Sequence, residues 1–255
     1  MEIIDTVYAA AKNIAVYSSP EGNCEAVAEH ALGMLLALQH NILRADRQVR
    51  AFNWQREANR GIELAGKTIA IIGFGHTGSA FARKLQGLDM NILAYDKYLP
   101  KGYVAAKNTA NHALEKKTNT YIDYQTFVKE SNYETIFETA DLVSLHLPLS
   151  AETRFLVNDS FLAQFRKNIT LINTSRGNVV ETASLIKNLQ SGKVLGACLD
   201  VFENEKPTTF SERETEQYKK LYSFDNVILT PHIAGWTQES KYRMATVLCR
   251  KILGA

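Results

Sequence analysis

Cysteine is scarce in this chain: Cys24, Cys198 and Cys249 are the only three in 255 residues, and they lie far apart. So few and so scattered, they build neither a disulfide framework nor a paired metal-ligand spacing, so no metal is expected and reduced thiols in the cytoplasm are. No apolar run approaches the ~20 residues that a membrane-spanning helix needs. The N-terminal MEIIDTVYAAAKN has no basic leader and carries Glu2 and Asp5 around its first apolar residues, unlike a signal peptide. An excess of one charge is also lacking: 29 Lys and Arg stand against 27 Asp and Glu, interspersed, for a net charge of +2. That balance leaves no basic block to recommend nucleic acid as a partner. Internal repeats and low-complexity tracts are absent. What is present is 45% hydrophobic residues, enough for one large domain or two small ones.

From about Lys67 onward, short Val/Ile/Leu-rich segments alternate with helical patterns, as in a parallel sheet with helices on both faces. The expected strands are 68–73, 91–96, 141–147, 169–174, 194–201 and 226–232, with a weaker one at 119–123. Residues 101–138 turn polar and are expected to form an irregular insertion with one or two short helices. Upstream, apolar residues recur at helical spacing from Ala26 to Leu43, which predicts one long helix over 23–49 for core packing or a subunit interface. Another helix is expected from Thr237 to the end at 255.

The stretch GFGHTG, Gly73 to Gly78, sits between an apolar strand and an amphipathic helix. In that setting Gly73 permits the tight turn, Gly75 lets a pyrophosphate approach the backbone, and Gly78 lets helix and strand pack closely. The helix start adds unpaired N–H groups and positive potential. The next strand ends in Asp96, 96 − 78 = 18 residues beyond the last glycine, close to the spacing of about 20 for a ribose-binding acid. A carboxylate there accepts from a 2′-hydroxyl and repels a 2′-phosphate, so NAD is the expected cofactor.

Ligands of a doubly wound sheet gather at the carboxyl ends of the strands. There LINTSRGN carries Arg176, LDVFENEKP carries Asp200, Glu203 and Glu205, and NVILTPHIAG carries His232. Taken singly, each of these could be a turn residue or a solvated charge. Together they supply what a 2-hydroxy or 2-oxo acid needs beside a nicotinamide: a guanidinium to fork a carboxylate, an imidazole to exchange a proton, and a carboxylate to orient that imidazole.

These segments, with GIELAGKTIAIIGFGHTG and DLVSLHLPLSAETRFLVN, resemble the D-isomer-specific 2-hydroxyacid dehydrogenases in order and spacing over most of residues 20–240. The resemblance implies a Rossmann-type α/β fold: a doubly wound parallel sheet with helices on both faces, plus a remnant of a second, substrate domain. It makes Arg176 the substrate-binding arginine, His232 the acid/base and Glu205 its partner, 205 − 176 = 29 residues on from the arginine; Glu203 competes for that last role. It assigns cofactor contacts to Thr77, Asp96, His146, Pro148, Thr153, Thr174, Asp200 and Gly235, with Asp200 near the nicotinamide carboxamide. Departures are His76 and Thr77 between the last two glycines, where an arginine and an aliphatic residue are common, and Ser175 where alanine is usual.

Within the family, PEGNCEAVAEHALGMLLALQ and WQREANRGIELAGKTIAIIG look most like 3-phosphoglycerate dehydrogenases, the first step of serine synthesis, with glyoxylate, hydroxypyruvate and D-lactate enzymes as alternatives. Arg56 matches a basic position that can face a neighbouring subunit's active site, and a homodimer through the long helix and residues 40–65 is implied. A dinucleotide-sensing binding protein shares the fold and is the rival class; formate dehydrogenase, which pairs its histidine with glutamine, is disfavoured by Glu205. The expected division is 1–22 as the remnant of the substrate domain, a helix and a strand IAVYS; 23–236 as the NAD-binding domain; and 237–255 as the returning helix. The family's substrate domain of roughly a hundred residues is otherwise missing, so NAD binding with weak or absent turnover is expected of this chain by itself.

Overall fold

The computed structural model describes residues 4–104 and 128–254. The weak strand expected at 119–123 lies outside them. Among the described residues seven strands form one parallel sheet: β1 (Thr68–Ile72), β2 (Asn91–Tyr95), β3 (Val128–Glu130), β4 (Leu142–Leu145), β5 (Ile169–Asn173), β6 (Val194–Leu199) and β7 (Val227–Leu229), in the order β3-β2-β1-β4-β5-β6-β7. Six coincide with expected strands but stop earlier, and the residues left over form the loops at the carboxyl edge. The seventh, β3, falls inside the stretch read as irregular; it is a three-residue edge strand with one buried side chain, too short and too polar for a periodic signal.

Burial on both faces explains the near-continuous apolar strands. Ile69 and Ile71 point to one side, Ala70 and Ile72 to the other, and all four are buried. On the first face lie α2 (Pro20–Gln39) and α4 (His76–Lys84), through Ala28, Ala31, Leu35, Phe81 and Leu85. On the second lie α5 (Tyr133–Thr139), α6 (Asp159–Ala163), α7 (Thr182–Gln190) and α8 (Glu212–Tyr222), through Ile136, Phe161, Leu185 and Leu221. The helix α9 (Gln238–Leu253) packs on α2. A Cβ at Gly22 would come within 2.6 Å of the Met244 backbone, so this crossing demands glycine. Thr237 caps α9 reciprocally with Ser240, where the sequence placed its start.

Two expectations fail. The single helix over 23–49 is two: α2 ends at Gln39 and α3 (Ile42–Arg50) begins after Asn41, which is left-handed at φ 54°. Asn is among the few residues that accept that conformation cheaply, and no Gly or Pro marks the break. Arg44 and Gln48 of α3 then bond to Asn59, tying down the connection towards β1. At the other end, α1 (Thr6–Ala11) forms, but IAVYS (14–18) is not a strand. It has strand composition and no strand beside it among the described residues, and Ile14 and Tyr17 stay exposed.

The break at Asn41 gives a direct test. Asn41→Gly should leave the urea midpoint nearly unchanged, whereas Asn41→Val should lower stability by about 1–2 kcal/mol, the cost of a branched residue held left-handed. Equal midpoints for the two would mean that the break does not depend on this residue.

Candidate functional site

The β1–α4 turn is built by close approach. Gly73 leaves β1 at φ 92°, and a Cβ there would lie 2.3 Å from the His146 carbonyl oxygen; one at Gly78 would lie 2.0 Å from the Gly73 oxygen. At Gly75, which flanks the start of α4, nothing stands within 4 Å of a Cβ position, leaving the backbone open to an incoming group. His76 and Thr77 begin α4, so their N–H groups are among those without intrahelical partners. Asp96, one residue past β2, accepts from Phe74 N at 2.8 Å and from Tyr98 N at 3.0 Å. The proposed ribose acid thus also fastens the glycine turn.

Beside this turn is a cavity of about 450 Å³ walled by Thr77, His146, Pro148, Thr174, Ser175 and Arg176 from the sheet edge and by the start of α2 opposite. Six residues singled out from the sequence therefore meet on one wall. His146 bonds Ser144 Oγ through Nε2 at 2.9 Å, while its Nδ1 is buried without a partner among the described residues. Burial pushes the imidazole down to about 3, so it is neutral at physiological pH. The Thr174 hydroxyl oxygen is likewise buried and unpartnered. Orphan polar atoms cost free energy until something bonds to them, and these two, with the open backbone at Gly75, fit a polar dinucleotide. Thr153 acts at one remove, donating to the Pro148 carbonyl at 2.6 Å and accepting from Ser150 N at 2.8 Å, which folds the loop carrying Pro148.

Arg176 also borders a second, open cavity of about 730 Å³ that includes Glu205, Lys206 and His232. Its placement begins in β5. Asn173, fully buried at the strand end, accepts from Ser175 N and Oγ and donates to the Arg176 carbonyl at 3.0 Å. One guanidinium nitrogen of Arg176 donates to the Ser175 carbonyl at 2.7 Å. Gly177 then passes so close to Phe202 that a Cβ would overlap its carbonyl. His232 Nδ1 is 2.8 Å from Glu205 Oε2. A carboxylate only accepts, so Nδ1 carries the proton and Nε2 is left to exchange one. The rival Glu203 accepts instead from Thr182 N at the start of α7.

Asp200 is buried under the His232 loop and borders neither cavity. Its Oδ1 accepts from Thr230 Oγ1 at 2.6 Å and Ile233 N at 2.9 Å, its Oδ2 from Ala234 N at 2.8 Å, and its carbonyl from His232 N at 2.7 Å. Asp200, the residue expected at the carboxamide, thus supports the histidine loop. Gly235 follows; its carbonyl accepts from Ser240 Oγ at 2.6 Å, and a Cβ there would meet Asn23. Arg56 stands apart, exposed on a different cavity with Trp54 and Val49. Sequence reasoning missed Ser144, Asn173 and His30, which contacts Thr230; a polar side chain inside or at the end of an apolar strand was the available signal for the first two.

The buried imidazole makes a pH prediction. Between about 6.5 and about 3 the unfolded chain binds a proton that folded His146 does not, so its contribution to stability is whole above that window and falls on acidification through it. His146→Gln, melted at about pH 7 and about pH 5, should lose less of its melting temperature than the unaltered chain; an equal loss would deny the burial effect.

Residues 32–234 match the family described as D-isomer specific 2-hydroxyacid dehydrogenase, NAD binding domain. The chain is 35% identical over 252 residues to a hydroxypyruvate reductase of Thermotoga maritima, covering 99% of this chain and 73% of that one. It is 32% identical over 250 residues to a D-3-phosphoglycerate dehydrogenase of Archaeoglobus fulgidus, covering 98% of this chain but only 42% of that one. The crystal structure of D-lactate dehydrogenase from Aquifex aeolicus complexed with NAD and lactic acid superposes with a TM-score of 0.80 at 29% identity, covering 100% of this chain and 74% of that one. A Rossmann-type sheet, a glycine turn opening on a polar cavity, and sequence similarity across nearly the whole chain agree: this protein belongs to the NAD-dependent D-isomer-specific 2-hydroxyacid dehydrogenases.

Proposed function

We propose that the edge carrying Arg176, Glu205 and His232 interconverts a 2-hydroxy acid and its 2-oxo acid. The observation that carries this reading is the 2.8 Å His232–Glu205 pair opening onto the same cavity as Arg176. The cofactor supplies or takes the hydride at the substrate's C2. Arg176 forks the substrate carboxylate and polarises the adjacent carbonyl. In reduction His232 gives its Nε2 proton to the oxygen as C2 gains hydride; in oxidation it takes the hydroxyl proton, and Glu205 stabilises the imidazolium. Thr77, His146, Pro148, Thr174 and Ser175 wall the cofactor's side, and Asp96 stands at the adenosine ribose.

As substrate we favour the three-carbon acids with oxygen on C3, with 3-phosphoglycerate and the serine pathway as first choice and unphosphorylated hydroxypyruvate as second; glyoxylate and D-lactate lack that C3 oxygen. Lys206 supports the phosphorylated form, because it borders the Arg176 cavity and offers a second cation to a dianion. We place the enzyme in the cytoplasm as a homodimer, which the fully exposed Phe52 and largely exposed Trp54 next to Arg56 support.

NADH oxidation measured against a panel of 2-oxo acids tests the chemistry. His232→Ala should lower kcat by roughly 10²–10⁴-fold while NADH binding, followed by fluorescence, is unchanged; unaltered turnover would sink the assignment and favour a sensing protein. Lys206→Ala and Arg56→Ala should each raise KM severalfold for the phosphorylated acid and leave the unphosphorylated one alone, with Arg56 doing so only if sedimentation shows a dimer. Indifference of both variants to the phosphate would move the choice to hydroxypyruvate.

A further inference from the structure

His232 is left-handed, at φ 56°, a conformation that costs a non-glycine residue free energy unless its surroundings impose it. Asp200 does the imposing, through the four bonds to Thr230, His232, Ile233 and Ala234. One of those four is a side chain with a single proton. Thr230 Oγ1 lies 2.6 Å from Asp200 Oδ1, 2.9 Å from His30 Nε2 and 3.8 Å from the Met34 sulfur. A hydroxyl has one hydrogen to donate, and the short contact to a carboxylate outcompetes a distant thioether. Thr230 therefore donates to Asp200, and at its other contact it must accept. The group facing it, His30 Nε2, must be the donor.

That fixes the tautomer of a histidine on α2, 22% exposed, with Nε2 also 3.7 Å from Asp200 Oδ1. We propose that His30 is a positioning residue: by donating from Nε2 to Thr230 it commits the threonine's proton to Asp200 and so holds the loop that presents His232. The chain of bonds runs from α2 through Thr230, beyond β7, to Asp200, beyond β6, and ends on the backbone N–H groups of His232, Ile233 and Ala234. A His30 ring with Nε2 bare would place two acceptors face to face and turn the hydroxyl away from Asp200. The consequence for proton transfer rests on the role given to His232 above; the network itself does not.

Two measurements on the full chain decide it, and neither needs turnover. In ¹⁵N–¹H spectra of the imidazoles, His30 should carry its proton on Nε2 at neutral pH; a ring protonated only on Nδ1 overturns the proposal without any substitution. By amide hydrogen exchange, Ile233 and Ala234 should exchange about tenfold faster in His30→Met, which keeps the volume and lacks the donor, and in Thr230→Val. His30→Gln, which returns an N–H near the Nε2 position, should restore protection. Equal exchange in the Met and Gln variants, or acceleration spread uniformly over the sheet, would show that His30 only fills space. Acceleration at the loop together with full turnover in His232→Ala would leave the clamp standing and remove the hydride-transfer reading instead.

Discussion

A parallel sheet covered by helices on both faces meets water only at its two ends, and each polar group of the site answers to that constraint. Inside the layers a polar side chain must find a partner or cost the fold free energy. The few that enter the strands do so in pairs: Ser144 with His146, Thr170 with Gln39, Asn173 with the Ser175 and Arg176 main chain. Each pair fastens a neighbouring segment to the sheet. The loops that leave β4 and β5 are thereby anchored, Asp96 fastens the one that leaves β1 and Asp200 the one that leaves β7, and side chains set on those loops inherit the rigidity of the core.

That inheritance is visible in how the two cavities share Arg176. The arginine leaves β5 between Ser175, which borders the cavity beside the glycine turn, and Gly177, which lets the loop pass under Phe202. A side chain at position 177 would push the two loops apart and separate Arg176 from the Glu205–His232 pair. The glycine carries no side chain, but it sets the distance between Arg176 and the Glu205–His232 pair.

What was legible in the sequence was whatever a local pattern encodes. Apolar runs gave the long strands, the glycine spacing gave the β1–α4 turn, and Thr237 gave the start of α9. The convergence of Arg176, Glu205 and His232 was legible because strand ends on one sheet share an edge. The choice between Glu203 and Glu205 could be made only through the family's spacing, since both carboxylates follow β6 within four residues of Val201 and only the fold brings Thr182 N to one of them. The break at Asn41 was hidden because asparagine is as ordinary within a helical run as it is capable of leaving one. IAVYS was misread for the opposite reason: strand propensity is context, and a segment with no neighbour to pair with does not make a ladder. His30 and Asp200 lie 170 residues apart, and nothing local in either marks the threonine between them.

The site is also where the fold carries its unfavourable terms. A left-handed histidine, a buried neutral imidazole and two polar atoms without partners among the described residues each cost on the order of 1–3 kcal/mol. Together they are comparable with the whole net stability of a domain, roughly 5–15 kcal/mol. They lie along one edge, above two apolar clusters that fill both faces of the sheet, and they stand only because neighbouring bonds over-determine them. The terms differ in kind. The strain at His232 is internal and is held by Asp200 whatever occupies the cleft. The orphan atoms of His146 and Thr174 belong to residues that wall the cavity beside the glycine turn, but the atoms themselves are buried. Their cost is one of desolvation, whereas that at His232 is one of backbone strain, and one edge of the sheet carries both.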